Sequence, residues 1–189
     1  MKKHHSHEQV HFGLWVYIMS DCILFASLFA AYAVLHTQTA GGPSGMELFD
    51  RSFVLVETLI LLTSSFTCGL ALLAARAKNS VGVWLSLLAT FALGAVFLGM
   101  ELSEFSMLVA EGHSWATSAF LSAFFTLVGT HGLHIAVGLL WLIALFIYLG
   151  VRGLTEKTMQ RIVYFSLFWH FLDIVWICLF SLVYLLGSL

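Results

Sequence analysis

The residues able to do chemistry in this chain are acids and histidines set inside apolar runs. In FWHFLDIVWICLF (168–180), His170 and Asp173 lie three residues apart, on one face of a helix. In LVGTHGLHIAVG (127–138), His131 and His134 are again one turn apart, among glycines that admit close helix approach. WVYIMSDCILF (15–25) carries Asp21, while Glu57, Glu101 and Glu104 stand in or beside further apolar runs. An ionisable group in hydrocarbon is costly, so each of these needs a partner, a proton or a task.

For Asp21 two roles fit: a proton-exchanging carboxyl, or a protonated acid bonded across helices to fix packing. The histidines do not read as ligands. No H-E-x-x-H occurs, and two histidines on one helix cannot approach one haem iron from opposite sides. Interhelical hydrogen bonding accounts for His131, His134 and His170 at least as well, and His170 can turn toward Asp173 or toward a neighbouring helix. Trp169, Asp173, Trp176 and Phe180 form an aromatic stripe of the kind that packs. Glu101 and Glu104, in GMELSEF (99–105), read as a solvated rim. Cys22, Cys68 and Cys178 fall in separate apolar runs, as small buried hydrophobes do. His4, His5, His7 and His11 belong to a mobile, solvated tail. No catalytic, metal-binding or cofactor-binding residue is assigned.

The elements that position these groups follow from composition. With 189 residues, 60% of them hydrophobic and 10% charged, and a mean hydropathy of +0.97, the chain is expected to form a single membrane domain over 1–189. A bilayer core about 30 Å thick needs about 20 helical residues, and five runs reach that length. They are 14–35, 53–75, 81–103, 119–149 and 162–186, preceded by a mobile cytoplasmic tail at 1–12. The fold class is therefore all-α, an integral membrane bundle of five transmembrane helices. Gly41-Gly42-Pro43-Ser44-Gly45, Arg76–Ser80, a polar Glu104–Ser118 connection and Gly150–Arg161 join them. Lys2 and Lys3 precede an apolar run too long for a signal peptide, and that run contains Asp21, so it reads as a retained helix.

Lys2, Lys3, Arg76, Lys78, Arg152, Lys157 and Arg161 fall on one side of such a bundle and Arg51 alone on the other. The positive-inside rule then places the N-terminus in the cytoplasm and the C-terminus on the periplasmic side. The same count leaves no lysine or arginine within a span to balance Asp21, Glu57 or Asp173. At 1.5 Å per residue from the cytoplasmic boundary, Asp21 lies about 10 Å deep, His170 about 12 Å and Asp173 about 16 Å. His134 falls at a similar level and His131 nearer the midplane, so these groups are expected to share one intramembrane polar layer. Glu57, Glu101 and Glu104 are outer-side carboxylates. A net charge of −2 without a basic patch excludes nucleic acid as a partner.

Several stretches together resemble subunit III of the haem-copper respiratory oxidases, in the short five-helix form of bacterial cytochrome o ubiquinol oxidases. They are FGLWVYIMSDCILF (12–25), TAGGPSG (39–45), FVLVETLILLTSS (53–65), FLGMELSEF (97–105), FLSAFFTLVGTHGLHIAVGLLW (120–141), RGLT (152–155) and SLFWHFLDIVWICLFSLVYLLG (166–187). The resemblance implies a subunit without a redox centre of its own in a proton-pumping terminal quinol oxidase of the bacterial inner membrane. Haem and copper would sit in the partner catalytic subunit I, with other oxidase subunits and membrane phospholipid as further partners. It also implies a proton-uptake role at the position of Asp21, where the family more often has a glutamate. His131, His134, Glu104, His170 and Asp173 fall on family motif positions. Two other classes compete: an independent proton-coupled carrier or channel, which would transport alone, and a haem-binding electron carrier, which would show a Soret band alone.

Overall fold

The computed structural model describes residues 2–38, 51–112 and 116–185. The Gly41-Gly42-Pro43-Ser44-Gly45 turn lies outside the described residues. The described chain is helical: α1 Lys2–Leu35, α2 Arg51–Arg76, α3 Ser80–Ala110, α4 Ala119–Arg152 and α5 Glu156–Leu179, the last closing in a π-helical turn, Phe180–Leu185. Each helix, α5 together with its π turn, contains a stretch long and apolar enough to cross a membrane.

Helices outrun apolar stretches, because capping rather than hydropathy decides where a helix stops. Residues 2–12, expected as a tail, continue α1. The first part of the expected Glu104–Ser118 connection, 104–110, is the end of α3, and α5 begins at Glu156 rather than 162. Ser118 accepts from the Leu121 amide at 3.1 Å, Thr155 from Thr158 at 3.3 Å and Asn79 from Gly82 at 3.1 Å, each satisfying an orphan donor of a helix start. Gly153, at φ 66°, ends α4 in a backbone region that favours glycine.

The buried positions repeat every three and four residues. On α2 they include Val54, Glu57, Leu61, Ser64, Cys68, Ala71 and Ala75; on α3, Val83, Leu87, Thr90, Gly94, Phe97, Glu101, Glu104 and Leu108. On α5 the same rhythm runs through Ile162, Phe165, Trp169, Leu172, Trp176, Leu179 and Val183. A 3-4 repeat is the seam of a left-handed bundle with shallow crossing angles. Helices α2 and α3 form a hairpin; α5 packs on α2, α4 and α1, and α3 also meets α4. Helix α1 lies against α4 and α5, running parallel to α5: His11 meets Tyr164 at 4.9 Å, while Tyr32, near the other end, meets Phe120 of α4 at 6.2 Å.

Lipid is as apolar as leucine, so close packing rather than water exclusion holds these helices together. Trp169 shows how. A Cβ on Gly94 of α3 would stand 2.9 Å from its ring and one on Gly138 of α4 2.7 Å, so the indole fills a slot that only glycines leave open. Its Nε1–H donates to Ser64 of α2 at 2.8 Å, and Trp176 donates likewise to Thr58 at 3.1 Å. The aromatic stripe of α5 is thus buried inside the bundle. Of the cysteines only Cys68 is buried; Cys22 and Cys178 are exposed on the bundle surface, a correction to the expectation that all three are interior. Their helices are apolar on every side, which conceals which face points in.

Candidate functional site

The buried polar groups fall into three environments: the expected layer of Asp21, His131, His134, His170 and Asp173 divides between two of them with His131 apart, and the outer-side carboxylates make the third. The first joins α1 to α4. Asp21, 6% exposed, brings Oδ2 to 3.5 Å from His134 Nε2. His134 Nδ1 lies 2.7 Å from the carbonyl of Thr130, which only accepts, so Nδ1 carries the proton. In a neutral imidazole Nε2 is then a bare lone pair facing a carboxyl oxygen. A proton bound between the two would make the contact attractive, as carboxylic acid with imidazole or as carboxylate with imidazolium. Phe25 closes over the pair, 5.2 Å from the His134 ring and 6.5 Å from Phe171.

The second environment lies between α5 and α2. His170 Nδ1 is 2.6 Å from the Ser65 hydroxyl, and Asp173 interacts with the same hydroxyl. A hydroxyl can accept from an imidazole N–H and donate to a carboxyl at once, so Ser65 links the two residues that the sequence places one turn apart. They floor a groove of about 470 Å³ along α2, walled by Leu62, Phe66, Gly69, Leu70 and Leu73. His170 and Asp173 thus share their partner with each other, while Asp21 and His134 meet on the far side of α5. His131 stands apart from both. It is fully buried, its Nε2 3.3 Å from the carbonyl of Leu172, its ring 5.0 Å from Trp176 and edge-on to Phe97 at 5.8 Å.

The third environment was hidden from hydropathy. Glu101 and Glu104, expected at a solvated rim, are 2% and 8% exposed, and Glu57 is 0%. All three occupy the seams of α2 and α3, because the 3-4 repeat that passes through Gly94 and Phe97 reaches Glu101 and Glu104 next. That repeat is the signal by which the sequence could have disclosed them. Tyr184, carried inward by the π turn, donates to Glu104 Oε2 at 3.3 Å. Glu101 Oε1 lies 2.5 Å from where a Cβ of Gly132 would stand, so the carboxyl seats directly on the α4 backbone. Both oxygens of Glu57 and Oε2 of Glu101 have no hydrogen-bond partner.

His131, His134 and His170 point to different helix interfaces. Among the described residues no three His, Cys, Asp or Glu side chains converge as a metal would require. The first environment thus sets a buried carboxyl of α1 against an imidazole of α4.

A family profile described as cytochrome c oxidase subunit III matches residues 2–188. The chain is 55% identical to the cytochrome bo(3) ubiquinol oxidase subunit 3 of Pseudomonas aeruginosa, over 98% of this chain and 92% of that one. It is 47% identical to the quinol oxidase subunit 3 of Bacillus spizizenii, over 93% of this chain and 86% of that one. It is 46% identical to the cytochrome c oxidase subunit 3 of Bacillus sp. strain PS3, over 93% of this chain and 84% of that one. With its length matched almost throughout and its five apolar helices in place, the chain belongs to the cytochrome c oxidase subunit III family.

Proposed function

We propose that this chain is the non-redox subunit III of a proton-pumping terminal oxidase that takes electrons from ubiquinol and reduces oxygen to water. The observation that carries the reading is the near full-length likeness to a ubiquinol oxidase subunit, at 55% identity. It lies in a bacterial inner membrane, with the N-terminus in the cytoplasm and the C-terminus in the periplasm, the orientation favoured by the lysine and arginine asymmetry of the sequence. The haems and copper belong to the catalytic partner, subunit I, which this chain stabilises together with other oxidase subunits and bound phospholipid. The weakly enclosed α1, with Phe12, Trp15, Met19 and Ile23 exposed, offers an apolar face to such neighbours.

Within that role the Asp21–His134 pair assists proton uptake from the cytoplasmic side. Support comes from the expected depth of Asp21 in the first span, its 3.5 Å contact with His134 and its place on the helix least enclosed by this chain. His131, His170 and Asp173 serve packing: one bonds a helix carbonyl, the others share Ser65. The experiment is purification of the complex with wild-type chain and with Asp21→Ala. Wild type is expected to co-purify with haem-bearing subunits. The variant keeps the haem spectra while sustained turnover or pumping declines; an assembled variant with both unchanged removes the proton role. Transport by the isolated chain would instead revive the carrier.

A further inference from the structure

We propose that Glu57, Glu101, Glu104 and Tyr184 form a second proton-binding site, at the end of the bundle opposite Asp21, which exchanges with solvent through Glu104. Three carboxyls from two helices meet there inside the protein. Glu57 interacts electrostatically with Glu104, and Glu101 with both, while Tyr184 feels all three. Glu57 is the decisive member: it is wholly enclosed, neither oxygen has a hydrogen-bond partner, and it points among the other two acids. A carboxylate in that position would be an isolated buried charge facing like charges, an arrangement of very high cost.

Among the described residues, no cationic side chain is placed beside it. No lysine or arginine occurs in residues 52–75, 81–110, 119–151 or 162–185, and the nearest cation along α2 is Arg51, at its first residue. Among the described residues, His131 of α4 also packs on this region, its Nε2 turned to the Leu172 carbonyl and its ring against Trp176 and Phe97. Tyr184 contributes a hydrogen bond to Glu104 but no charge. The missing positive charge is therefore met by protons, and at neutral pH no more than one of the three carboxyls is ionised. Glu104, at 8% exposed, is the member closest to solvent, and the Tyr184 hydroxyl adjoins its Oε2. The site rests on burial and connectivity, so it stands whichever electron donor the complex uses.

Infrared spectroscopy of the purified complex at neutral pH tests this. Wild type should show carboxylic C=O absorption that shifts on transfer to deuterium oxide. Glu57→Gln, Glu101→Gln and Glu104→Gln preserve size and polarity, and at least two of the three should each remove part of that absorption. Tyr184→Phe should move the Glu104 band by removing its hydrogen bond, a change that a packing role alone would not produce. If a glutamine variant fails to assemble, the wild-type and Tyr184→Phe spectra decide by themselves. Loss of carboxylate rather than carboxylic absorption in the glutamine variants, or wild-type absorption indifferent to deuterium oxide, would overturn the proposal.

Discussion

Helices α5 and α1 run side by side, yet they are built for opposite surroundings. In the most apolar stretch of α5, 56% of residues are buried within the chain, against 17% for α1. Helix α5 carries two indoles bonded to α2 hydroxyls and wedged against α3 and α4, while α1 packs mainly on α4 and α5, through residues that include His11, Tyr17, Asp21, Phe25 and Tyr32. The difference separates a helix that anchors the bundle from one left open to neighbours. Polar groups of α5 are mostly fixed by one partner and hold the bundle shut, whereas the acid of α1 meets a single histidine of α4 on the least enclosed helix, where the proposed proton role places it.

The comparison breaks if α5 proves dispensable. Trp169→Ala empties the slot between Gly94 and Gly138 and is expected to cost roughly 3–5 kcal/mol, read as lost assembly or as a lower unfolding midpoint of the complex. A smaller penalty than that of Phe25→Ala on α1 would reverse the ranking. Gly138→Val drives a side chain into the same indole and should cost about 1–3 kcal/mol by the same measurement. Ser64→Ala leaves the Trp169 N–H without its acceptor. Interhelical hydrogen bonds in membranes are worth about 0.6 kcal/mol on average, so a loss of roughly 1 kcal/mol is expected. Smallest in stability is Asp21→Asn, expected to change the unfolding midpoint by less than about 1 kcal/mol while still lowering proton pumping. If it unfolds the complex as Trp169→Ala does, the aspartate is a packing group after all.

Much of this architecture was legible in the residues. Five long apolar runs can only be helices in lipid, and the small residues around His131 and His134 announced close packing. Rotation about each helix axis was harder to read. Hydropathy is nearly uniform around α3, so it does not say that Glu101 and Glu104 point inward; only the spacing from Gly94 does. Depth estimates brought Asp21, His134, His170 and Asp173 to one level, but a level is a plane and says nothing of which side of α5 each occupies. Ser65 went unnoticed as the link between His170 and Asp173 because a serine in a run such as LLTSSF has no distinguishing pattern.

The Trp169 slot also bears on the order in which the molecule is made. The glycine clefts of α3 and α4 and the hydroxyls of α2 all emerge from the ribosome before the helix that fills them. Until α5 enters the bilayer, the Ser64 and Thr58 hydroxyls lack the indole donors they accept from, and the cleft at Gly94 and Gly138 lacks the ring that fills it. Membrane insertion and tight packing are then separate events in time, the second waiting on the last span. A nascent chain halted before Glu156 would present that unfilled seam to membrane proteases, so completion of synthesis is itself registered in the fold.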